Sequence, residues 1–183
     1  VFVVRPLDQE QQHRFLTTYL HDAKRAAQLL KQLQSQPGGD LVASNPMLLS
    51  MVVEVSRAQG DLPQGRAQLY RRFFIDWYAR ENKKEKKTGA PLRWPFPRTL
   101  EALSHLAFAS RKDGLVDLER IAAERILRPL LADDTAHFLK RMAQGLLLCL
   151  DEHSDTLSFS HESVQEYLAA EYLAHDPNAY ADL

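Results

Sequence analysis

The chain has 183 residues, 45% hydrophobic and 26% charged, a composition that excludes a disordered or fibrous protein and leaves room for one large or two small globular domains. Its 23 Lys and Arg nearly balance 24 Asp and Glu, for a formal net charge of −1, so whole-chain charge draws it neither to nucleic acid nor to an anionic membrane. Cys149 is the single cysteine, which excludes an intrachain disulfide and fits a reducing, cytoplasmic setting, and no run approaches the ~20 apolar residues of a membrane span.

The opening Val1-Phe-Val-Val4 reads as a short strand ending at Arg5-Pro6, within a segment 1–7 that belongs to a sheet not present here. With no initiator Met and no signal-peptide layout, the sequence is expected to be a piece of something larger. Asp8 is placed to cap a helix through about Leu20, with Phe15, Leu16, Tyr19 and Leu20 as its apolar positions, and a second helix follows to about Gln34 before Pro37-Gly38-Gly39. Asn45-Pro46 opens a third helix, because Asn caps free N–H groups and Pro at the first position gives up none that would be bonded. It runs to about Ala58 and stops at Gly60. The fourth spans about Gln64 to Glu81, with Leu69, Tyr70, Phe73, Phe74, Trp77 and Tyr78 on a broad face and Asp76 set to pair with Arg80. Residues 8–81 thus read as a helical bundle.

Between Asn82 and Pro97 the composition turns to four lysines, then Gly89, Pro91, Pro95 and Pro97, which marks a linker and a domain boundary. The lysines read as a solvated run or as a phosphate contact, and Trp94 as an anchor of the linker onto a neighbouring surface. Residues 98–175 form the second domain: a helix from about Arg98 to Arg111, an extended Leu115-Val116, and a helix capped by Asp117 to about Leu127. Next comes a helix capped by Asp133 or Asp134 with Phe138, Leu139 and Met142 inward. Strands at Leu146–Leu150 and Thr156–Phe159 flank the polar loop 151–155, and 176–183 is a tail. The order helix, short strand, helix, helix, strand, strand is that of a winged helix-turn-helix, so the expected fold is mainly α, a helical bundle followed by a winged helix with a small β-hairpin wing.

The most informative stretch runs from Phe159-Ser-His161-Glu-Ser-Val-Gln-Glu-Tyr to Leu173. His161 sits where a strand stops and an amphipathic helix begins, beside a row of main-chain N–H groups that suits a phosphate. Glu162 lies in the first turn, and Val164, Tyr167, Leu168, Tyr172 and Leu173 form the inward stripe. On spacing alone His161 reads equally as a surface residue at a helix start, and Pro46 as a plain helix starter.

The run Phe-x-His-x-x-x-Gln-Glu-aromatic-x-Ala-Ala resembles the closing motif of NACHT-type signalling NTPases. The likeness extends over almost the whole chain: Val3-Val-Arg-Pro-Leu-Asp8 resembles the end of the NTPase core sheet, Asn45-Pro-Met-Leu-Leu49 the lid motif, and Leu62-Pro63, Arg66 and Leu69-Tyr70 the last helix of the lid. The resemblance implies that Asn45 and Pro46 lie near the adenine and that His161 of the winged helix contacts the β-phosphate of bound ADP. It further implies a module that closes over ADP at rest, opens on exchange for ATP and then oligomerises with copies of itself. Its partner would be the P-loop core of the same protein, and its setting, at family level, signal transduction in defence against phage or pathogens.

No Gly-x-x-x-x-Gly-Lys-Ser/Thr occurs, so no phosphate cradle is encoded and the fragment itself is not expected to hydrolyse ATP or to hold a nucleotide tightly, although the parent protein would be an ATPase. Neither His-Glu-x-x-His nor Gly-x-Ser-x-Gly is present, and no catalytic or metal-binding residues are assigned. A DNA-reading winged helix is the alternative. Against it, two acids open the third helix, and Arg98–Ser160 carries eight Lys and Arg against ten Asp and Glu, a balance of −2.

Overall fold

The first helix begins with a reciprocal cap. Asp8 accepts from the Gln11 N–H at 2.8 Å, and the Gln11 side chain accepts from the Asp8 N–H at 3.0 Å, fixing the start of α1, Gln9–Leu20. The structure is a computed structural model describing residues 5–59, 62–88, 92–145 and 147–176, with the side chains of 58, 59 and 85–88 outside that description. The terminal strand expected at Val1–Val4, the stop at Gly60 and the tail from residue 177 therefore lie outside the described residues. What is described is mainly helical with one small antiparallel sheet of three strands. The chain divides into two compact units, Val1–Arg80 and Glu81–Leu183. No helix of the described residues is long and apolar enough to cross a membrane.

In the first unit, α1 turns off at His21 (φ 53°), and Asp22 caps α2, Ala23–Gln34, through the Arg25 N–H. Ala26, Leu29, Leu30 and Leu33 recur at helical spacing and are buried. Of the four apolar positions expected in α1 only Leu16 is fully buried; Tyr19 stacks on Phe15 at 4.5 Å near the surface. A short helix that the sequence reading missed, α3, spans Gly39–Ser44. A Cβ at Gly39 would fall 1.8 Å from the Leu33 carbonyl oxygen, so only glycine admits this close return of the chain.

Helix α4, Pro46–Gln59, is buried on most of its circumference by Leu48, Leu49, Met51, Val52, Val53 and Val55. Helix α5 spans Arg66–Thr88 and buries Leu69, Tyr70, Phe74 and Trp77. Arg80, expected to pair with Asp76 along the helix, reaches across to Glu54 on α4. The helix also continues past Glu81, so the first seven residues of the expected linker 82–97 are helical. Lys and Glu are good helix formers, and no Gly or Pro intervenes before Gly89. Glu81, read as a helix end, is buried and bonded to Lys84 at 2.6 Å and Arg141 at 3.0 Å.

In the second unit, Trp94 is buried edge-on against Phe138 with ring centroids 5.1 Å apart. Helix α6, Phe96–Lys112, carries Pro97 in its first turn, where the missing N–H has no intrahelical use. Strand β1 is Asp117–Glu119 rather than Leu115-Val116. Asp117 is therefore a strand residue and not a cap, and α7, Arg120–Leu131, starts from Glu119 without a side-chain cap bond. Tertiary pairing sets this shift: Leu118 is buried opposite Leu157, between exposed Asp117 and Glu119.

A single 3₁₀ turn, Ala132–Asp134, leads into α8, Thr135–Gln144, on which Phe138, Leu139 and Met142 are buried as expected. Asp134 does not cap that helix, because its carboxylate is bonded to Arg93 at 3.0 Å. The hairpin pairs β2, Leu148–Asp151, with β3, Thr156–Phe159, and the sheet order is β1-β3-β2. Of the strand residues expected ahead of Leu148, Leu147 precedes the ladder and Leu146 lies outside the described residues. Helix α9, Glu162–His175, packs along α6, with Tyr172 stacked on Phe108 at 4.4 Å and edge-on to His105 at 4.5 Å.

Candidate functional site

His161 is the N-cap of α9, with extended backbone at φ −154° and ψ 136°. β3 delivers it there: the Ser160 N–H is bonded to the Leu147 carbonyl at 3.0 Å, which ends the ladder and turns the chain into the helix. Its Nδ1 accepts the Ser163 main-chain N–H at 3.1 Å and lies 2.8 Å from the Ser163 hydroxyl. A main-chain N–H only donates, so Nδ1 bears a lone pair, and in the neutral ring the proton resides on Nε2. The exposed imidazole therefore presents a donor to its surroundings and has no second lone pair with which to act as a base or bind a metal.

Of the first three N–H groups in the row expected beside it, two are occupied. Ser163 N–H is bonded to the ring and Val164 N–H to the His161 carbonyl at 3.1 Å, while Glu162 N–H bonds to no described residue. What remains are two donors, the Nε2–H on the far side of the ring and the Glu162 N–H, at the positive end of a helix of 14 residues, a setting that favours an acceptor or anion. The surrounding charges are mixed: Arg111, at the end of α6, lies 3.6 Å from Glu162 and 3.5 Å from Glu166.

Asn45 and Pro46 come together at the start of α4, in the first unit. Asn45 Oδ1 accepts from Met47 N–H at 3.0 Å and Leu48 N–H at 3.1 Å, and its carbonyl accepts from Leu49 N–H at 2.9 Å. Both residues are half-buried, with Pro46 first in the helix. The sequence reading passed over Ser163, which sets the tautomer of His161; the signal was a Ser two residues after an N-cap, within reach of that cap's side chain. Among the described residues, no three metal-ligating side chains gather. Compared with models of known protein families the chain matches none, and no curated protein matches it.

Proposed function

We propose that the chain is the regulatory part of a NACHT-type signal-transduction ATPase, a helical lid followed by a winged helix, which closes over ADP at rest and opens for ATP-dependent oligomerisation. The order α6, β1, α7, α8, β2, β3, with β1 hydrogen-bonded beside β3, agrees with a winged helix-turn-helix. The observation that carries the functional reading is the state of His161, whose Nδ1 is occupied by Ser163 and whose Nε2–H is left to donate. Asn45 and Pro46 would lie near the adenine, and catalysis would belong to the P-loop core of the parent protein.

A nucleotide shifts such a two-state module only by the difference in its contacts between the two states. A bond from Nε2–H to a charged phosphate oxygen is worth about 1.5–3 kcal/mol. Lost in the open state, it would bias the resting equilibrium by roughly 10- to 150-fold. The test uses the parent protein that carries the core: His161→Ala should lower co-purified ADP by that factor and raise the mass seen by light scattering, while His153→Ala in the hairpin loop should change neither. Wild-type ADP content and mass in His161→Ala would refute the phosphate contact. A duplex-mobility shift that weakens steeply with salt would instead favour the DNA-reading alternative.

A further inference from the structure

Within the second unit, the end of α6 and the start of α9 enclose a cleft of about 280 Å³ that the nucleotide reading leaves unused. The size is just below the range of about 300–1,000 Å³ typical of drug-sized ligands and suits a single small metabolite. One wall is apolar: Leu115, 42% exposed, Val116, 76% exposed, and Phe159 from the end of β3. Arg111 and Glu162 provide opposite charges, and Gln165, only 6% exposed, completes the lining.

The orientation of the Gln165 amide follows from its partners. The Ser110 hydroxyl donates to the Leu115 carbonyl at 2.7 Å, so Ser110 Oγ must accept from Gln165 Nε2 at 3.1 Å. Gln165 Oε1 is left without a bond to any described residue, on a side chain that lines the cleft. An amide oxygen without a partner at the edge of the cleft can accept from a ligand's donor. Arg111 also has capacity to spare: its contacts with Glu162 and Glu166 are 3.6 and 3.5 Å, longer than the roughly 2.7–2.9 Å of a tight charge-assisted bond, and a guanidinium has five N–H donors.

We propose that this cleft binds a free apolar α-amino acid as its zwitterion. The carboxylate meets Arg111, the three ammonium donors meet Gln165 Oε1 and Glu162, and the apolar side chain covers Leu115, Val116 and Phe159. The assignment uses every polar group of the lining and covers apolar side chains that otherwise face water. It does not involve His161, so it stands or falls separately from the nucleotide reading.

The test is a titration of the isotope-labelled 183-residue chain with L-leucine, followed by NMR at the Gln165 side-chain amide and the Leu115 and Val116 methyls. A ligand of this size should bind with a dissociation constant on the order of millimolar. Leucinamide, which lacks the carboxylate, and N-acetyl-leucine, which lacks the ammonium, should each bind at least ~10-fold more weakly. Arg111→Gln should weaken leucine ~10-fold and leave leucinamide unchanged, whereas Glu162→Gln should weaken leucine and leave N-acetyl-leucine unchanged; both positions are at the surface, and neither substitution should unfold the chain. Saturable shifts confined to the cleft with this ranking support the proposal. No shift up to ~50 mM leucine, or leucinamide binding as well as leucine, overturns it.

Discussion

At the start of α4 the Asn45 amide oxygen receives two main-chain N–H groups; at the start of α9 the His161 ring receives one, plus contact with a hydroxyl, on Nδ1. Each satisfies donors that a helix start leaves orphaned. They differ in what is left over. Asn45 is half-buried and its oxygen is fully engaged by its own helix, whereas the exposed imidazole has a second nitrogen, on the far side of the ring, which keeps its proton. Two helices are begun by the same local chemistry, but the amide NH2 that Asn45 keeps belongs to a half-buried side chain, whereas the ring N–H that His161 keeps is exposed. At both starts the capping atom and the remaining donor are different atoms of one side chain, and the exposure of that side chain sets the two apart.

The largest effects should come from removing the packing beneath each start. Leu49 in α4 and Leu168 in α9 are both fully buried, and truncation of either to Ala should cost about 2–5 kcal/mol through lost transfer energy and a residual cavity. Urea denaturation of each variant measures this. A loss below ~1 kcal/mol at one position would show that its helix start is not held by the core below it.

Next in size is the substitution that divides the two roles of His161. Asn is a strong N-cap, so His161→Asn should keep the stability of α9 within ~0.5 kcal/mol while removing the Nε2–H. In the parent protein, ADP retention should still fall roughly 10- to 150-fold, as for the alanine variant. Wild-type retention in His161→Asn would assign the histidine to capping alone and erase the contrast with Asn45. The matching change, Asn45→Ala, should cost about 1 kcal/mol by loss of the cap, visible as a lower urea midpoint, whereas Asn45→Ser should recover most of it.

The smallest effect is a pH dependence of the second unit. Burial raises the pKa of Glu81, but the bonds from Lys84 and Arg141 outweigh it and hold the carboxyl below the ordinary carboxylate range. The folded value is thus lower than the unfolded one, and the unfolded chain takes up the proton first as pH falls. The stabilisation is complete above the ordinary carboxylate pKa of about 4.3 and is lost as pH falls through the folded value. Urea midpoints between pH 7 and 3 should drop less steeply in Glu81→Gln than in wild type; equal slopes would show that the pair is not formed in solution.

Capping signals were legible in the sequence because they are written within four residues. Asp8 and Asn45 cap the helices they were expected to cap, and β3 spans the expected Thr156–Phe159. Features set by distant residues were not legible. Helix α3 depends on Gly39 passing the Leu33 carbonyl, β1 takes its register from a strand some 40 residues later, and Asp134 is diverted from capping by Arg93. The lysine run after Glu81 was read as irregular because charge and the prolines beyond it dominated the local pattern, whereas Glu81 is tied to Arg141, 60 residues away. At the candidate site the position of His161 was readable. The tautomer was not, since it rests on the geometry of one N–H, nor was the orphaned oxygen of Gln165.

The burial of Trp94 against Phe138 has an optical consequence. The chain has two tryptophans, and the other, Trp77, is buried in α5 on the opposite side of the division between the units. Trp77→Phe therefore leaves an emitter that reports residues 81–183, and Trp94→Phe leaves one that reports residues 1–80. Comparing the two emission curves in urea would show, without any added label, whether the units lose their structure together or one after the other.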